Sequence, residues 1–524
     1  MAPNKSSGIM SVPFPRRTNN RTVLVCFLSI AALCIFFTFG SQHVVHGSVG
    51  KYQLATLSEL KQDRPNSDGA VEERPALVDD NESVDENNDD DANDDGISND
   101  GDEDGDDLIL QVPDRGDYRE LYSLTTTDRK FFPIYFGDSK QGYNPNIIPH
   151  PTKHDMWIVV AQHEQSRETF DVSGELVCTA GFFEGVLICA DPPTILPITP
   201  SITGVCEGDL AYMNFRFGPR DARMFYGPSG PLILYGTQSQ YACLGIWVQD
   251  VRMILDAFHL ERFALAKLFI SATEIQRPLP WHGIEKNFFV FWDVEGKAYV
   301  HHDIHPKRVF AELDFDGSVG EDLAPKSAAH DEACMAQYMP HVGPNLESIH
   351  QATNSLAITL CKRADPKCIP DSSNTFVMHI FQYKVHEQRR VSKAAHVWLD
   401  AERFLTTSQT YHDYHGIYEP YVVLFQQSAP FAIHAISQRP LWIHGRNALT
   451  KATGSLSYEG KPDSDIPNGH TEMFYMTSMS YKSHSQRYHG YIDDVLFLAF
   501  GIEDSRSGAI DIMAGDLLQD LALC

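Results

Sequence analysis

A mainly β fold is predicted for most of this chain by three observations. Short apolar runs punctuated by Gly, Pro and Asn recur from Leu108 to the C terminus. They group into five or six strand pairs, and few stretches hold a 3.6-residue apolar period for long. The spacing of the pairs is too uneven for a short-period repeat array. Radially arranged four-stranded sheets fit, because such an architecture accepts long insertions and leaves few exposed edges. The expectation is a five-bladed β-propeller-like domain with inserted helices, preceded by one transmembrane helix. A β-sandwich is the alternative, disfavoured for a domain of this length.

The N terminus is organised for a membrane. Val23–Gly40 is an uncharged apolar run, VLVCFLSIAALCIFFTFG, and Lys5, Arg16, Arg17 and Arg21 precede it with no acid among them. As a helix it is roughly 27 Å long, enough for a thin bilayer. The positive-inside rule keeps residues 1–22 cytoplasmic and sends the rest across, so residues 23–40 read as a signal-anchor of a single-pass type II protein. No clear small-residue cleavage site follows, which argues against a removed signal peptide.

Residues 41–107 read as a disordered acidic stem. The window Asp79–Asp107 holds 16 acids and no Lys or Arg, too little apolar surface to offset ordering. Asn81-Glu82-Ser83 is a glycosylation acceptor within it. Asp100, Asp102, Asp104 and Gly105 match the start of a calcium loop, but Gln111 stands where the bidentate Glu belongs. Residues 1–78 carry 8 basic and 5 acidic side chains, so residues 108–524 keep -15 of the net charge of -28. A domain that acidic is a poor nucleic-acid binder, since phosphate needs basic clusters.

Residues 108–524 form the predicted luminal catalytic domain. Its strand units are Met156–Ala161 with Cys178–Ala190, and Met224–Phe225 with Leu232–Tyr235 and Ala242–Val248. The hairpin Phe288–Trp292 and Ala298–Val300 follows, then Phe376–Tyr383. Tyr421–Phe425 with Phe431–Ile436 and Met473–Met479 with Val495–Phe500 complete the series. Val251–Leu268 is the best helix prediction. Eight cysteines lie beyond the apolar run, an even number that suits an oxidising lumen. Cys361 with Cys368 and Cys178 with Cys189 each bracket a short turn and are the predicted local disulfides; no spacing fits structural zinc.

Ionisable residues gather at predicted strand ends. Around the central hairpin lie Glu285, Lys286, His301, Asp303, His305, Lys307 and Arg308; alternation places His301, Asp303 and His305 on one face. In GPRDARMF, Asp221 sits between Arg220 and Arg223, whose guanidiniums hold it ionised as a stabiliser or base. Glu347–Asn354, with His350 and Gln351, is dense in hydrogen-bonding groups suited to sugar hydroxyls. Glu419 ends a His-rich loop, and His489, Asp493 and Asp494 precede the strand VLFLAF. A divalent cation would seek Asp-any-Asp, and Asp314–Asp316 and Asp463–Asp465 match weakly.

The blocks EKNFFVFWD, YVHHDIHPKRVFAEL, LESIHQATNSLAITLCKR, GIYEPYVVLFQQSAPFAIHAISQRPLWIHGR and YHGYIDDVLFLAFGIEDSRSGAIDI together resemble the fungal beta-mannosyltransferases, glycosyltransferase family 91. The likeness runs over roughly residues 130–524 in several ordered blocks. It implies a type II Golgi enzyme that adds beta-1,2-linked mannose to cell-wall mannan or glycoprotein glycans from GDP-mannose, with Mn or Mg as a possible cofactor. The donor is alpha-linked, so a beta product implies inversion in a single displacement. GPRDARMF is also similar to the Arg-Asp-Pro corner of five-bladed propeller glycosidases and mannoside phosphorylases, with Ala222 in place of the Pro. The chemistry needs a carboxylate for the acceptor proton, and Asp221 or Asp303 is expected there, with Glu285 next. Lys307, Arg308 and Arg446 are expected at the diphosphate. Arg220, Arg223, Lys286, His301, His305, His350, Gln351, Glu419, His444, His489, Asp493 and Asp494 complete the expected substrate contacts. Trp281, Trp292 and Trp442 could stack on sugar or guanine. A propeller hydrolase or phosphorylase and a non-catalytic glycan-binding protein remain the alternatives.

Overall fold

A computed structural model describes residues 117–137, 140–166, 171–263, 269–343, 347–385, 417–446 and 472–524, all within the unit Glu103–Cys524. The apolar run Val23–Gly40, the stem with Asn81, most of the His-rich loop, and Asp463 and Asp465 lie outside the described residues. Among those described, no helix is long and apolar enough to cross a membrane.

The described chain is mainly β, with sheets of ten, seven, four and three strands and a parallel pair, Arg119–Leu121 with Leu441–Ile443; dividing the ten-stranded sheet at Phe132–Tyr135 gives five groups. The first contains Tyr143–Pro149, Trp157–Ser166, Asp171–Phe183 and Val186–Cys189, each antiparallel to the next. The second contains Arg220–Gly227, Gly230–Gln238, Leu244–Asp250 and Thr273–Glu274. The third is the central hairpin, Phe289–Trp292 with Ala298–Asp303, extended by Val309–Glu312. In the fourth, Glu347–Gln351 and Leu356–Thr359 share one partner, Thr375–Val385, followed by Ile417–Gln426, Ile433–Ser437 and Leu521–Leu523. The fifth contains Phe474–Tyr481, Val495–Ile502 and Arg506–Met513. Phe132–Tyr135 pairs antiparallel with Arg506–Met513 and parallel with Val186–Cys189, joining the fifth group to the first.

The leading strand of each group is buried along nearly its whole length. That is why segments such as FVFW and LAIT read as unbroken apolar runs instead of alternating ones. Leading strands of neighbouring groups are tied by buried amides. Asn146 Nδ2 donates to Ala222 O at 2.6 Å, and Asn146 Oδ1 accepts from Met224 N at 3.2 Å. Asn354 makes the same two-way contact with the backbone of Met479, and Gln382 Oε1 accepts from Met476 N at 2.7 Å. Each amide satisfies backbone groups that no sheet ladder reaches.

Four disulfides close within the described residues: Cys178–Cys189, Cys361–Cys368, Cys206–Cys243 and Cys334–Cys524. The last joins the α-helix Ala328–Tyr338 to the C terminus. The predicted helix Val251–Leu268 does not form as one piece. Its described part is two 3-10 segments, Val251–Met253 and Asp256–Phe263, with Phe258 off helical geometry. Asp250 caps the first segment, accepting from the backbone N–H and the guanidinium of Arg252, and the chain leaves helical geometry at Ile254 and again at Phe258.

Candidate functional site

The five leading strands enter the molecule beside one another, and residues at their starts bond across the groups. Asn144 Nδ2 of the first group donates to Asp221 Oδ1 of the second at 3.3 Å. Gln351 Nε2 of the fourth donates to Asn287 O of the third at 3.0 Å, and Tyr475 of the fifth donates its hydroxyl to Asn287 Oδ1 at 3.2 Å. Arg223 of the second donates Nε to Ala352 O of the fourth at 3.2 Å and lies over the Tyr475 ring. All five groups thus meet at one end. Three of these entry residues, Asn144, Asp221 and Asn287, have φ of 53°, 50° and 61°. Asn and Asp tolerate that left-handed backbone better than other side-chain-bearing residues, which explains their choice at equivalent turns into a strand.

Asp221 is held by its backbone and left open at its carboxylate. Its N–H donates to Gln162 Oε1 at 2.9 Å, and its carbonyl accepts from Arg223 Nη1 at 2.8 Å, while the side chain is exposed. Beneath it lies Glu175, with no exposed surface; Oε1 accepts from Ala222 N at 3.3 Å, and Oε2 has no partner. Burial first, and the charge of Asp221 second, push the Glu175 carboxyl up to about 8. Glu175 is thereby favoured in its neutral form beneath the Asp221 side chain. Burial also pushes the Tyr475 hydroxyl up to about 12. Tyr418 packs edge-on to Tyr475 at 5.2 Å and carries Lys384 Nζ over its own ring at 4.9 Å. Burial, and then the like charge of Lys286, lower the Lys384 ammonium. Buried Arg223 keeps Nη2 without a partner.

A second charged cluster sits in the third group. Arg277 is buried and binds Glu285 at 2.8 Å and Asp303 at 2.6 Å. Glu285 also accepts from His282 N at 2.6 Å and is sealed from solvent, whereas the Asp303 side chain keeps 27% exposure.

Six of the side chains expected at strand ends and the substrate, Asp221, Glu285, Asp303, His350, Glu419 and Asp494, divide among separate places. Asp221 stands at the strand entries, and Glu285 and Asp303 share Arg277. Half-buried His350 bonds Ser348 Oγ at 2.9 Å. Glu419 is buried with Arg446 Nη1 at 3.7 Å. Asp494 pairs with Arg363 at 2.8 Å, and Asp493 caps the backbone of Arg363 and Ala364. Those two, with His489 on Thr359 Oγ1 at 2.8 Å, lie by a cavity of about 940 Å³ where the leading strands end, the opposite end from Asp221.

His301, Asp303 and His305 do not line one face, because the ladder shifts register between His301 and Asp303. His301 is stacked on Phe289 and bonded by Gln351 and Arg308, while His302 and Asp303 both turn toward Gln276–Arg277. The cations expected at a diphosphate are also placed elsewhere. Arg308 is buried on Asp331 at 2.6 Å and Phe431 O at 2.8 Å. Arg446 is buried on Glu472 O at 2.9 Å and stacks on Trp442. A guanidinium removed from water needs such partners, and these two are spent on them. His444 binds Glu120 at 2.7 Å. Lys307 and Lys286 are exposed; Arg220 and His305 are intermediate. Trp292 and Trp442 are core residues, and Trp281 is not. Among the described residues no three His, Cys, Asp or Glu side chains are grouped to hold a metal, and Asp316 is turned onto Ser318.

Glu175, Asn144, Tyr475 and Lys384 had no signal in the sequence. Asn287 and Tyr418 lay inside quoted motifs, and only strand-entry position marks them.

No family model matches the chain, and no curated protein sequence matches it. Among solved structures, the chain is similar to a glycosyl hydrolase from Bacteroides ovatus (13% identity, TM-score 0.35, covering 75% of this chain and 90% of that one). It is also similar to the beta-1,2-mannobiose phosphorylase of Listeria innocua (9%, 0.36, 76% and 96%). A third is MPT-1, a GDP-Man-dependent mannosyltransferase from Leishmania mexicana (9%, 0.34, 73% and 89%).

Proposed function

We propose that this chain is an inverting beta-mannosyltransferase that uses GDP-mannose as donor and a mannan or glycoprotein glycan as acceptor. The observation that carries the reading is the placement of Asp221, whose exposed carboxylate stands where five leading strands begin, met there by Asn144, and whose backbone is held by Gln162 and Arg223. The five groups, each with a buried leading strand and joined through Phe132–Tyr135, support a five-bladed propeller with that entry as its substrate end.

The chemistry follows from the groups present. The acceptor hydroxyl oxygen forms a bond to the anomeric carbon while its proton passes to the Asp221 carboxylate. The bond from that carbon to the diphosphate oxygen breaks, and GDP leaves with the electron pair, so the alpha donor gives a beta product. Arg220, Lys286 and Lys384 supply positive charge at this end for the departing diphosphate. The Asn144 amide holds the carboxylate, and neutral Glu175 beneath it adds no competing charge. No step is assigned to a metal.

We place the protein in the Golgi membrane as a type II protein, with Val23–Gly40 spanning and the β domain luminal. Four disulfides support an oxidising compartment. Protease treatment of sealed microsomes should spare the domain until detergent is added. A second reading, a propeller mannoside hydrolase or phosphorylase, draws on the GPRDARMF corner. The deciding assay incubates the full-length protein with GDP-mannose and mannan and follows GDP release. Release should need the acceptor and fall about 10²- to 10⁴-fold in Asp221→Asn. Cleavage of beta-mannosides without GDP-mannose, or full turnover by Asp221→Asn, would overturn the proposal.

A further inference from the structure

The second group carries an aromatic pair that neither core packing nor the chemistry at Asp221 uses. Tyr241 and Trp281 stack with ring centroids 5.0 Å apart and planes 15° apart, while Tyr241 remains 50% exposed. Backbone pairing brings them together: Cys243 N donates to Gly283 O at 3.0 Å, and Glu285 N donates to Leu244 O at 2.9 Å. The Cys206–Cys243 disulfide anchors the loop beneath. Two large side chains are thus held parallel by fixed backbone, with Tyr241 half in water.

The pair lies at the substrate end. Arg220 is paired with Gly236, so the loop that leaves the next strand and carries Tyr241 emerges beside the Asp221 entry. Phe289 is paired with His301, so Asp303 emerges beside Asn287 at that same end. Two strand spacings separate the Tyr241 loop from the Asp221 strand, about 10 Å.

The polar neighbours decide what such a platform takes. His282, next to Trp281, meets Arg277 Nη1 at 3.0 Å, and Arg277 is shared by Glu285 and Asp303. Arg277 is consumed by these two carboxylates, so its guanidinium is not offered to a nucleotide diphosphate. Aromatic faces attract the weakly positive C–H faces of a sugar ring, and the part-exposed Asp303 carboxylate accepts from hydroxyls. We infer that the Tyr241–Trp281 stack, with Asp303 and His282 beside it, is a binding platform for a neutral oligosaccharide chain whose end reaches Asp221. The choice of mannan as that chain rests on the proposed function.

The test is affinity electrophoresis of the full-length protein in gels containing soluble fungal mannan, with GDP affinity measured in parallel. Wild type and Asp221→Asn should be retarded equally. Trp281→Ala and Tyr241→Ala should each weaken mannan affinity about three- to tenfold, from the loss of one aromatic contact. Trp281→Phe should keep most of it, and GDP affinity should not move. Unretarded wild type, unchanged retardation in both alanine variants, or loss of GDP affinity with mannan binding intact would each overturn the platform. If retardation depends on Trp281 but no GDP is released from GDP-mannose, the platform stands and the transferase proposal falls.

Discussion

A carboxyl with no exposed surface is driven toward its neutral form, and Glu175 is buried that way under Asp221. Its pKa in the folded protein, about 8, stands above the ordinary 4.5. The stability it contributes is therefore complete below about pH 4.5 and is lost as pH rises through about 8. Glu175→Gln keeps an oxygen for the Ala222 N–H and cannot ionise. Its melting temperature should gain on that of the wild type between pH 5 and pH 8 and level off above; a difference independent of pH would show that Glu175 is not buried neutral. In the sequence, GPRDARMF already marked Asp221, because an acid between two arginines before a strand is a local pattern. Glu175 was invisible there, since it sits within an ordinary strand, ELVCTAGFF, and only tertiary packing sets it under Asp221. Arg308 and Arg446 misled for the converse reason: a sequence shows a cation but not the buried partners, Asp331 and Glu419, that consume it.

Strands were more legible than what they carry. The central hairpin was readable from two aromatic and β-branched runs around a Glu-Gly turn, and the structure pairs Phe289 with His301 through Trp292 with Ala298. The one-residue shift at His302 was not readable, because a bulge depends on the partner strand, and it rearranges every side chain after it. The predicted helix breaks where the chain leaves helical geometry, at Ile254 and Phe258. Glycine shows how an element positions the site. Gly218, two residues before Arg220, has φ of 92°, and a Cβ there would stand 2.0 Å from Ser173 O. Gly218→Ala should destabilise the fold by at least about 1–3 kcal/mol in denaturant titration. Because the displaced segment leads into Asp221, turnover should fall further than stability at assay temperature explains. A variant with wild-type midpoint and turnover would show that the backbone there yields without cost.

At the scale of the whole molecule two strands act as closures, the C-terminal one and Phe132–Tyr135. The C-terminal strand Leu521–Leu523 pairs with Ile433–Ser437, and Cys524 is bonded to Cys334. At the other end Phe132 is fully buried, edge-on to Phe182 of the first group at 4.8 Å and to Phe497 of the fifth at 6.0 Å. Just upstream, Ser123 Oγ and Thr125 Oγ1 donate to the buried Asp511 at 2.7 and 2.6 Å, and Lys482 Nζ completes its shell at 2.8 Å. Removing residues 1–137 would open the seam between the fifth and first groups and leave Asp511 with a single cation, a cost of several kcal/mol for a charge held out of water. Removing residues 1–107 takes away the apolar run Val23–Gly40 and a segment too acidic to bury a core. The shorter deletion should therefore melt at the wild-type temperature and release GDP at the wild-type rate. The longer one should show no cooperative thermal transition by circular dichroism. A chain beginning at residue 138 that melted like the wild type would mean that the five groups hold together without Phe132–Tyr135, and the closed-ring reading of the fold would have to be given up.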